Sequence, residues 1–226
     1  MLDGGLAFDG NDDYIDVSSM NPLDYDDFTI VAWYRSAETT LSDDEYIFIH
    51  DDSFTDEVAF GPTDDGGETL RLGINNGGSW DPHYATSDIV DQQWHHLAAV
   101  RGGGRIKLYV DGVEESDAVD AHAGMTVTVD GLGPFIGDLP GVTEQVHGTL
   151  DDVRFYDSAL SAGDIAELAK RPGPIAHWKL DDGSGPTAID SVGGNDATLN
   201  GDQGWTTGVL AGALDFDGSG DYATTD

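Results

Sequence analysis

The sequence predicts an all-β protein, a two-sheet antiparallel jelly-roll sandwich with one short helix near residues 162–170. The first observation is a series of short segments in which apolar and polar residues alternate, divided by turns rich in Gly, Asp and Asn. The second is their close spacing, which is typical of sandwiches and barrels. The third is length: 226 residues with 38% hydrophobic side chains suffice for one large sandwich core.

The predicted strands share an alternating pattern and turn residues at both ends. In chain order they are 6–8, 14–17, 28–35, 46–50, 57–60, 69–74, 94–101, 105–110, 125–129, 135–137 and 149–156. The third has the β-branched and aromatic composition of a core strand. Residues 75–84 are predicted to form a flexible loop.

One helix follows the strands. Ser161 is a suitable N-cap residue and Asp164 stands at the third helical position, which is the spacing of a capping box. Lys170 and Arg171 suit the negative end of the helix dipole, and Pro172 stops the helix. A single helix after many strands is expected to cover the edge of a sandwich.

An internal repeat sets the domain organisation. The segment 4–14 returns as 212–222, and seven of the eleven positions are identical. A period near 200 residues corresponds to a whole sandwich. We therefore expect a domain over 1–172, and in 174–226 the opening segment of a second copy. That segment either completes the first sandwich, within one chain or between two copies, or begins an independent domain.

The charge is strongly acidic. The chain has 36 Asp and 8 Glu against 6 Arg and 3 Lys, a net charge of −35. Because the acids are spread along alternating strands, they indicate a solubilising surface adapted to high salt. A nucleic acid partner is not expected, since it requires a basic face. No segment is apolar enough for membrane insertion, and there is no cysteine.

Three groups of segments carry a family resemblance. They are Phe8–Val17 with Phe28–Trp33, then Trp94–Arg101 with Lys107–Gly112, and finally Phe135–Gly137 with Gly148–Ser161. Together they resemble the laminin-G-like (concanavalin A-like) jelly rolls. The Trp-Lys-Leu-Asp strand that usually opens this family is missing at the N-terminus and appears instead at Trp178–Asp181. The first domain is therefore expected to lack its opening strand.

The resemblance implies a structural calcium ion. Hard cations prefer carboxylate, amide and carbonyl oxygens in Gly-rich turns. We expect Ca²⁺ at Asp9, Asn11 and Asp13 with help from Asp151, and the turn recurs at 217–221. A second candidate set resembles the rim site of pentraxins and consists of Asp56, Glu57, Asp138 and Glu144.

Catalysis is not expected. Glucanases of this broad fold need two carboxyl groups facing each other across a cleft. The sign would be a Glu-x-Asp-x-x-Glu strand, and the sequence has none. Neighbouring His95 and His96 face opposite sides of a strand and cannot share a metal ion.

The predicted ligand site is aromatic. Trp80 and Tyr84 stand among polar and turn residues, and Asn76 and His83 supply polar groups beside them. Trp33, Trp94 and Trp178 stand in apolar strands and are predicted core residues.

These observations favour a non-catalytic binding or adhesion module for a glycan or surface protein. The alternative is a structural assembly subunit, such as a spike, fibre or decoration protein of a halophilic virion or surface layer. Either function places the protein outside the cell, at its surface or on a virion, although no signal peptide is visible. Association between copies through 174–226 is also expected.

Overall fold

The computed structural model describes residues 5–18, 26–51, 57–65, 67–124, 132–139, 141, 143–170, 176–209 and 211–225. The predicted strand 125–129 lies outside these residues. The chain divides into two compact units, Leu2–Arg171 and Pro172–Asp226. Each unit is described by itself.

The first sheet of the Leu2–Arg171 unit has six strands among the described residues. They are β1 (Leu6–Asp9), β3 (Phe28–Ser36), β8 (His95–Gly102), β9 (Arg105–Val110), β10 (Val113–Val119) and β12 (His147–Tyr156). Their order is β1-β12-β3-β8-β9-β10, and every pairing is antiparallel.

The second sheet also has six strands in the part of the chain that the structure describes. They are β2 (Ile15–Asp16), β4 (Phe48–Asp51), β5 (Glu57–Thr63), β6 (Thr69–Asn76), β7 (Ser79–Tyr84) and β11 (Leu132–Ile136). Their order is β2-β11-β4-β5-β6-β7, again antiparallel throughout. The predicted antiparallel sandwich is confirmed.

The main core lies between the two sheets. Alternate residues of strand β3 face opposite sides of the first sheet. Phe28, Ile30 and Tyr34 are buried in the main core, while Val31 faces the other way. Val31 belongs to a second cluster, together with buried Ile165 from the helix. This strand is apolar on both faces because both are covered.

Short turns set the hairpins of both sheets. Gly77 and Gly78 have φ angles of 62° and 81° and join β6 to β7, and Asp111 and Gly112 join β9 to β10 with φ angles of 52° and 81°. Two central residues with positive φ define the type I′ turn that fits the twist of a hairpin. The predicted loop over 75–84 is therefore wrong, because its glycines form the tip of a hairpin.

Helix α1 (Ala162–Leu168) begins where predicted. Ser161 Oγ accepts a hydrogen bond from the Asp164 backbone N–H, and Asp164 Oδ2 accepts one from the Ser161 backbone N–H. This reciprocal pair is the expected capping box. The helix ends at Leu168, two residues before the predicted end. In the described part of the chain, no helix has the length and apolar character needed to cross a membrane.

Within residues 176–209 and 211–225, the Pro172–Asp226 unit contains five short strands, β13 (Thr187–Ala188), β14 (Ala197–Asn200), β15 (Gly204–Thr207), β16 (Gly212–Asp215) and β17 (Tyr222–Thr224). They form a three-stranded sheet, β13-β14-β17, and a two-stranded sheet, β15-β16. Asp190 organises the turn before β14, because its carboxylate accepts backbone hydrogen bonds from His177, Val192, Gly193 and Asn195.

An apolar groove of about 470 Å³ opens on this unit and is lined by Trp178, Leu180, Ala188, Ala197, Leu214, Phe216, Ala223 and Thr225. Trp178 is 37% exposed, so its assignment to a core is wrong within this unit. The apolar core of this unit is small: among its described residues, the buried apolar ones are Ala188 and Ala197. Completion of the first sandwich by residues 174–226 stays a prediction.

Candidate ligand platform and acidic turns

Trp80 and Tyr84 lie on the same outward face of the second sheet. Both belong to β7, four residues apart, so their Cα atoms are about 13 Å apart along the strand. Trp80 is opposite Asn75 in β6, and Tyr84 is opposite Arg71. Residues that pair across strands share a face. The two aromatic side chains, Arg71 and Asn75 therefore form one surface, which we call the platform.

Arg71 holds the platform together. Its guanidinium carbon lies 5.7 Å from the ring centroid of Trp80 and 5.9 Å from that of Tyr46. The group also forms an ion pair with Asp44 and is only 5% exposed. Cation–π and ionic contacts together fix the position of the guanidinium beneath the indole ring.

The indole ring of Trp80 lies against the backbone of Gly73. A Cβ atom at position 73 would stand 1.9 Å from Trp80 Cη2. Glycine is therefore required for this ring position. The other side of the indole is open, since Trp80 is 40% exposed.

Tyr84 carries the polar end of the platform. Its hydroxyl donates a hydrogen bond of 3.3 Å to Oδ2 of Asp65, an exposed residue. Partial burial, and then the charge of Asp65, raise the pKa of the Tyr84 phenol above its ordinary value. The phenol therefore stays protonated and remains a hydrogen-bond donor near neutral pH.

The other two predicted ligand residues lie elsewhere. His83 pairs with Leu72, faces the core side of β7 and is 7% exposed; its Nε2 lies 3.0 Å from Asp81 Oδ2. Asn76 is half-buried at the hairpin tip, opposite Ser79. Strand alternation brings Asn75, rather than Asn76, to the side of Trp80. A role for any of these residues in ligand binding stays a prediction.

The Asp-rich turn occurs twice with the same internal hydrogen bonds. The Asp9 N–H donates to Asp13 Oδ2 at 3.0 Å, and the Asn11 N–H donates to Asp9 Oδ1 at 3.0 Å. In the second copy, Asp217 donates to Asp221 at 3.1 Å and Ser219 donates to Asp217 at 2.7 Å. The local sequence therefore determines the shape of this turn.

The second turn gathers one further carboxylate. Oxygen atoms of Asp202, Asp217 and Asp221 all lie within 4.8 Å of one another. Three carboxylates at such distances suit a hard divalent cation. Among the described residues, no third carboxylate joins Asp9 and Asp13 in this way.

Asp151 does not adjoin the first turn. In the β1–β12 pairing Asp9 is opposite His147, so Asp151 stands four residues, or about 13 Å, farther along β12. Asp138, in contrast, interacts electrostatically with Asp12 of this turn. It is buried, and desolvation raises its pKa to about 6, with smaller contributions from Glu144 and Asp12. Asp56 of the second candidate set lies outside the described residues.

A small acidic pocket of about 90 Å³ adjoins the first turn. It is lined by Gly10, Glu38, Ser42, Asp43, Asp44, Glu45, Thr143, Gln145 and His147. Glu45 is 4% exposed and accepts hydrogen bonds from the Tyr34 hydroxyl at 2.8 Å and the His147 N–H at 3.2 Å. Burial raises the pKa of Glu45 to about 7. Glu45 is therefore partly protonated at neutral pH.

The histidine pair behaves as alternation requires. His96 is 2% exposed and its ring packs edge-on against Trp33 at 5.3 Å. Burial lowers its pKa to about 4, so it is neutral. The His95 ring instead contacts Asp91 and Asp111. The two rings thus serve separate local networks.

Sequence reasoning missed Tyr46, Asp44, Asp65 and Arg71. The available signal for Arg71 was alternation in β6, where Leu70, Leu72 and Ile74 face the core. Arg71 must then face outward beside the residues of the next strand. Which residues of β7 it meets depends on the hairpin register, which was not predicted.

A family model described as the concanavalin A-like lectin/glucanases superfamily matches residues 9–166. This match covers most of the segments on which the laminin-G-like resemblance rests, and it confirms the family. Over 113 residues, the chain is 29% identical to the Adhesion G-protein coupled receptor V1 of Danio rerio. The matched part is 49% of this chain but only 2% of that receptor.

Solved structures share the fold at low identity. The carbohydrate-binding module CBM40 of a Ruminococcus gnavus IT-sialidase superposes with a TM-score of 0.61 at 12% identity, over 74% of this chain and 96% of that one. Domain 4 of the Geobacillus stearothermophilus arabinanase AbnA gives a TM-score of 0.52 at 20% identity, over 64% and 67% of the two chains. Such low identities establish the jelly-roll sandwich and nothing further.

Proposed function

Because this chain belongs to the concanavalin A-like lectin/glucanases superfamily, we propose that it is a non-catalytic module that binds a glycan or a cell-surface ligand, outside the cell. This proposal rests on the platform. An exposed indole lies beside hydrogen-bonding groups on a rigid sheet, and such a combination suits a sugar ring with its apolar face and polar edge.

The similar folds support the same proposal. The CBM40 module is also known bound to α2,3-sialyllactose, and the AbnA domain is known in complex with arabinotriose. Function on a shared fold depends on the residues grafted onto it. The assignment to this chain therefore depends on Trp80 and Tyr84.

The test replaces both aromatic residues with alanine. Trp80→Ala with Tyr84→Ala is expected to abolish binding in a glycan array performed in molar salt. The loss of thermal stability should be smaller than that of a core truncation, because both side chains lie on the outer face of the sheet and are partly exposed. Val119→Ala is the matched control, since Val119 is 69% exposed on the other sheet. Unchanged glycan binding by the double variant would place the ligand site elsewhere.

Calcium remains part of the proposal. The donor set fits the ion better at Asp202, Asp217 and Asp221 than at residues 9–13, because three carboxylates converge there. A bound ion stabilises the folded state by mass action, so a chelator should lower the melting temperature. Asp217→Asn with Asp221→Asn should remove this chelator effect, and Asp9→Asn with Asp13→Asn is the comparison. An unchanged melting curve and no bound metal would count against calcium.

The second candidate function is that of an assembly subunit. The apolar groove of the Pro172–Asp226 unit favours it, because large exposed apolar surfaces mark association sites. Light scattering in molar salt should then detect oligomers, and Leu214→Asp should dissociate them. A monomer at every concentration would exclude this function for the isolated chain.

A further inference from the structure

The platform has a ligand preference that its charges define. We infer that it binds neutral, hydroxyl-rich oligosaccharides and rejects glycans that carry a carboxylate, such as sialylated or uronic ones. The inference rests on the proposed function, because it concerns the same site. It also distinguishes this chain from a module that binds sialyllactose on the same fold.

A carboxylate on the ligand needs a cationic partner, and the platform does not offer one. Among the described residues of the platform and its neighbours Tyr46, Asp44 and Asp65, the cation is Arg71. Its guanidinium is already paired with Asp44, lies between two aromatic rings and is 5% exposed. A ligand carboxylate would have to displace Asp44 and move Trp80 to reach it.

The exposed polar groups have the opposite character. Asp65 is an exposed carboxylate at the Tyr84 end, where it accepts the phenol hydrogen bond. An ionised carboxylate only accepts hydrogen bonds. Sugar hydroxyls can donate to it, whereas a second carboxylate can only repel it. Glu57 adds a further negative charge, because it pairs with Asn75 in the neighbouring strand and so lies on the same face.

The apolar part of the site is indifferent to ligand charge. Trp80 presents its open side to solvent while Gly73 supports the other side. Stacking on the indole would serve neutral and acidic sugars equally. Discrimination therefore has to come from the polar end, with Asp65 as the residue that determines specificity.

The experiment measures affinities for matched neutral and acidic probes in 1 M KCl. The pairs are lactose with α2,3-sialyllactose, and galactotriose with tri-galacturonic acid, and arabinotriose is a further neutral probe. At this salt concentration the Debye length is about 3 Å, so repulsion by the remote part of the −35 net charge is screened. A preference that persists must arise at contact distance.

The expected result is binding of at least one neutral probe, lost in Trp80→Ala, with its acidic partner at least tenfold weaker. Asp65→Asn should reduce that preference several-fold, because it removes the charge that repels a ligand carboxylate. The amide oxygen can still accept hydrogen bonds from sugar hydroxyls, so neutral binding should fall by less than the preference does. Asp157→Asn is the matched control, because it removes one exposed charge beyond the end of β12, in the other sheet.

Each contrary result has a distinct meaning. Equal or tighter binding of an acidic probe would overturn the inference and leave the glycan-binding function standing. An unchanged preference in Asp65→Asn would overturn the role of Asp65. No binding of any probe, or neutral binding that survives Trp80→Ala, would overturn the inference together with the proposed site.

Discussion

The position of the Trp80 ring can be tested with one methyl group. In Gly73→Ala the new Cβ would stand 1.9 Å from Trp80 Cη2 and 2.2 Å from Cζ2, so the indole must leave its place. The obstacle is the far end of a side chain that is 40% exposed, and the ring can swing into solvent. The φ angle of Gly73 is not positive, so alanine suits the backbone.

Two of the energetic terms nearly cancel. Losing the Arg71–Trp80 contact costs about 0.5–1 kcal/mol at a partly exposed site. Alanine in a strand regains about 0.5–1 kcal/mol over glycine, because the unfolded chain loses less entropy. What remains is the loss of the covered part of the indole, about 1–2 kcal/mol for a residue that is already 40% exposed. The melting temperature should therefore fall by about 2–8 °C.

Binding should respond more strongly. Loss of an aromatic anchor costs about 2 kcal/mol or more, which is more than roughly tenfold in affinity. The assay combines thermal unfolding with titration of the neutral probe that the unaltered chain binds. Gly163→Ala is the matched control, because Gly163 is helical and its new Cβ would meet Ser161 Oγ at an ordinary 3.6 Å. A drop in stability above about 3 kcal/mol, a size typical of core truncations, or unaltered affinity would refute the platform.

Three further predictions concern stability. In the unaltered chain the raised pKa of Glu45 means that the folded state binds this proton more tightly than the unfolded state, and the resulting stability is lost as pH rises from 4.5 towards 7. Glu45→Gln has no such loss, so its melting temperature should rise relative to that of the unaltered chain over this range; parallel plots of melting temperature against pH would contradict it. Ser161→Ala should cost about 1 kcal/mol by removing the N-cap, Ser161→Thr should retain most of it, and equal unfolding curves for both would contradict the capping role. Dialysis from molar salt to about 0.01 M, where the Debye length is about 30 Å, should unfold the chain, and a native, monodisperse sample in dilute buffer would disprove the requirement for salt.

Local rules explain which elements the sequence predicted well. Strand β3 is apolar on both faces, and the helix carries a complete capping box, so both were predicted with small errors at their ends. Strand β10 was missed because most of its residues are polar; it is an edge strand with half-buried or exposed side chains. The β-propensity of its residues predicts such a strand poorly, because hydrogen bonding to the neighbouring strand β9 holds it in place.

The residues of the candidate site could be predicted only in part, for a different reason. Trp80 and Tyr84 were predicted on a flexible loop; they lie on one face because both belong to β7, where residues four positions apart point to the same side. Their role in ligand binding stays a prediction. Arg71, Asp44 and Asp65 come from other parts of the chain, and only the register of β6 with β7 and the path of the connecting segments bring them together. The distance of Asp151 from residues 9–13 has the same origin, because it follows from the pairing of β1 with β12.

The repeated segment allows the effects of local sequence and of distant strand pairing to be compared within one chain. Both copies of the Asp-rich turn close with the same pair of hydrogen bonds, so a stretch of five residues is enough to determine the turn. Burial is not determined in this way. Phe8 is 4% exposed because β1 pairs with β12 and its ring packs against Gly137, whereas Phe216, at the same place in the repeat, is 46% exposed beside an open groove. In the described part of the chain, β1 pairs with β12 from a distant segment, whereas β16 pairs with the adjacent hairpin strand β15. The same residue is therefore a core residue in one copy and a surface residue in the other.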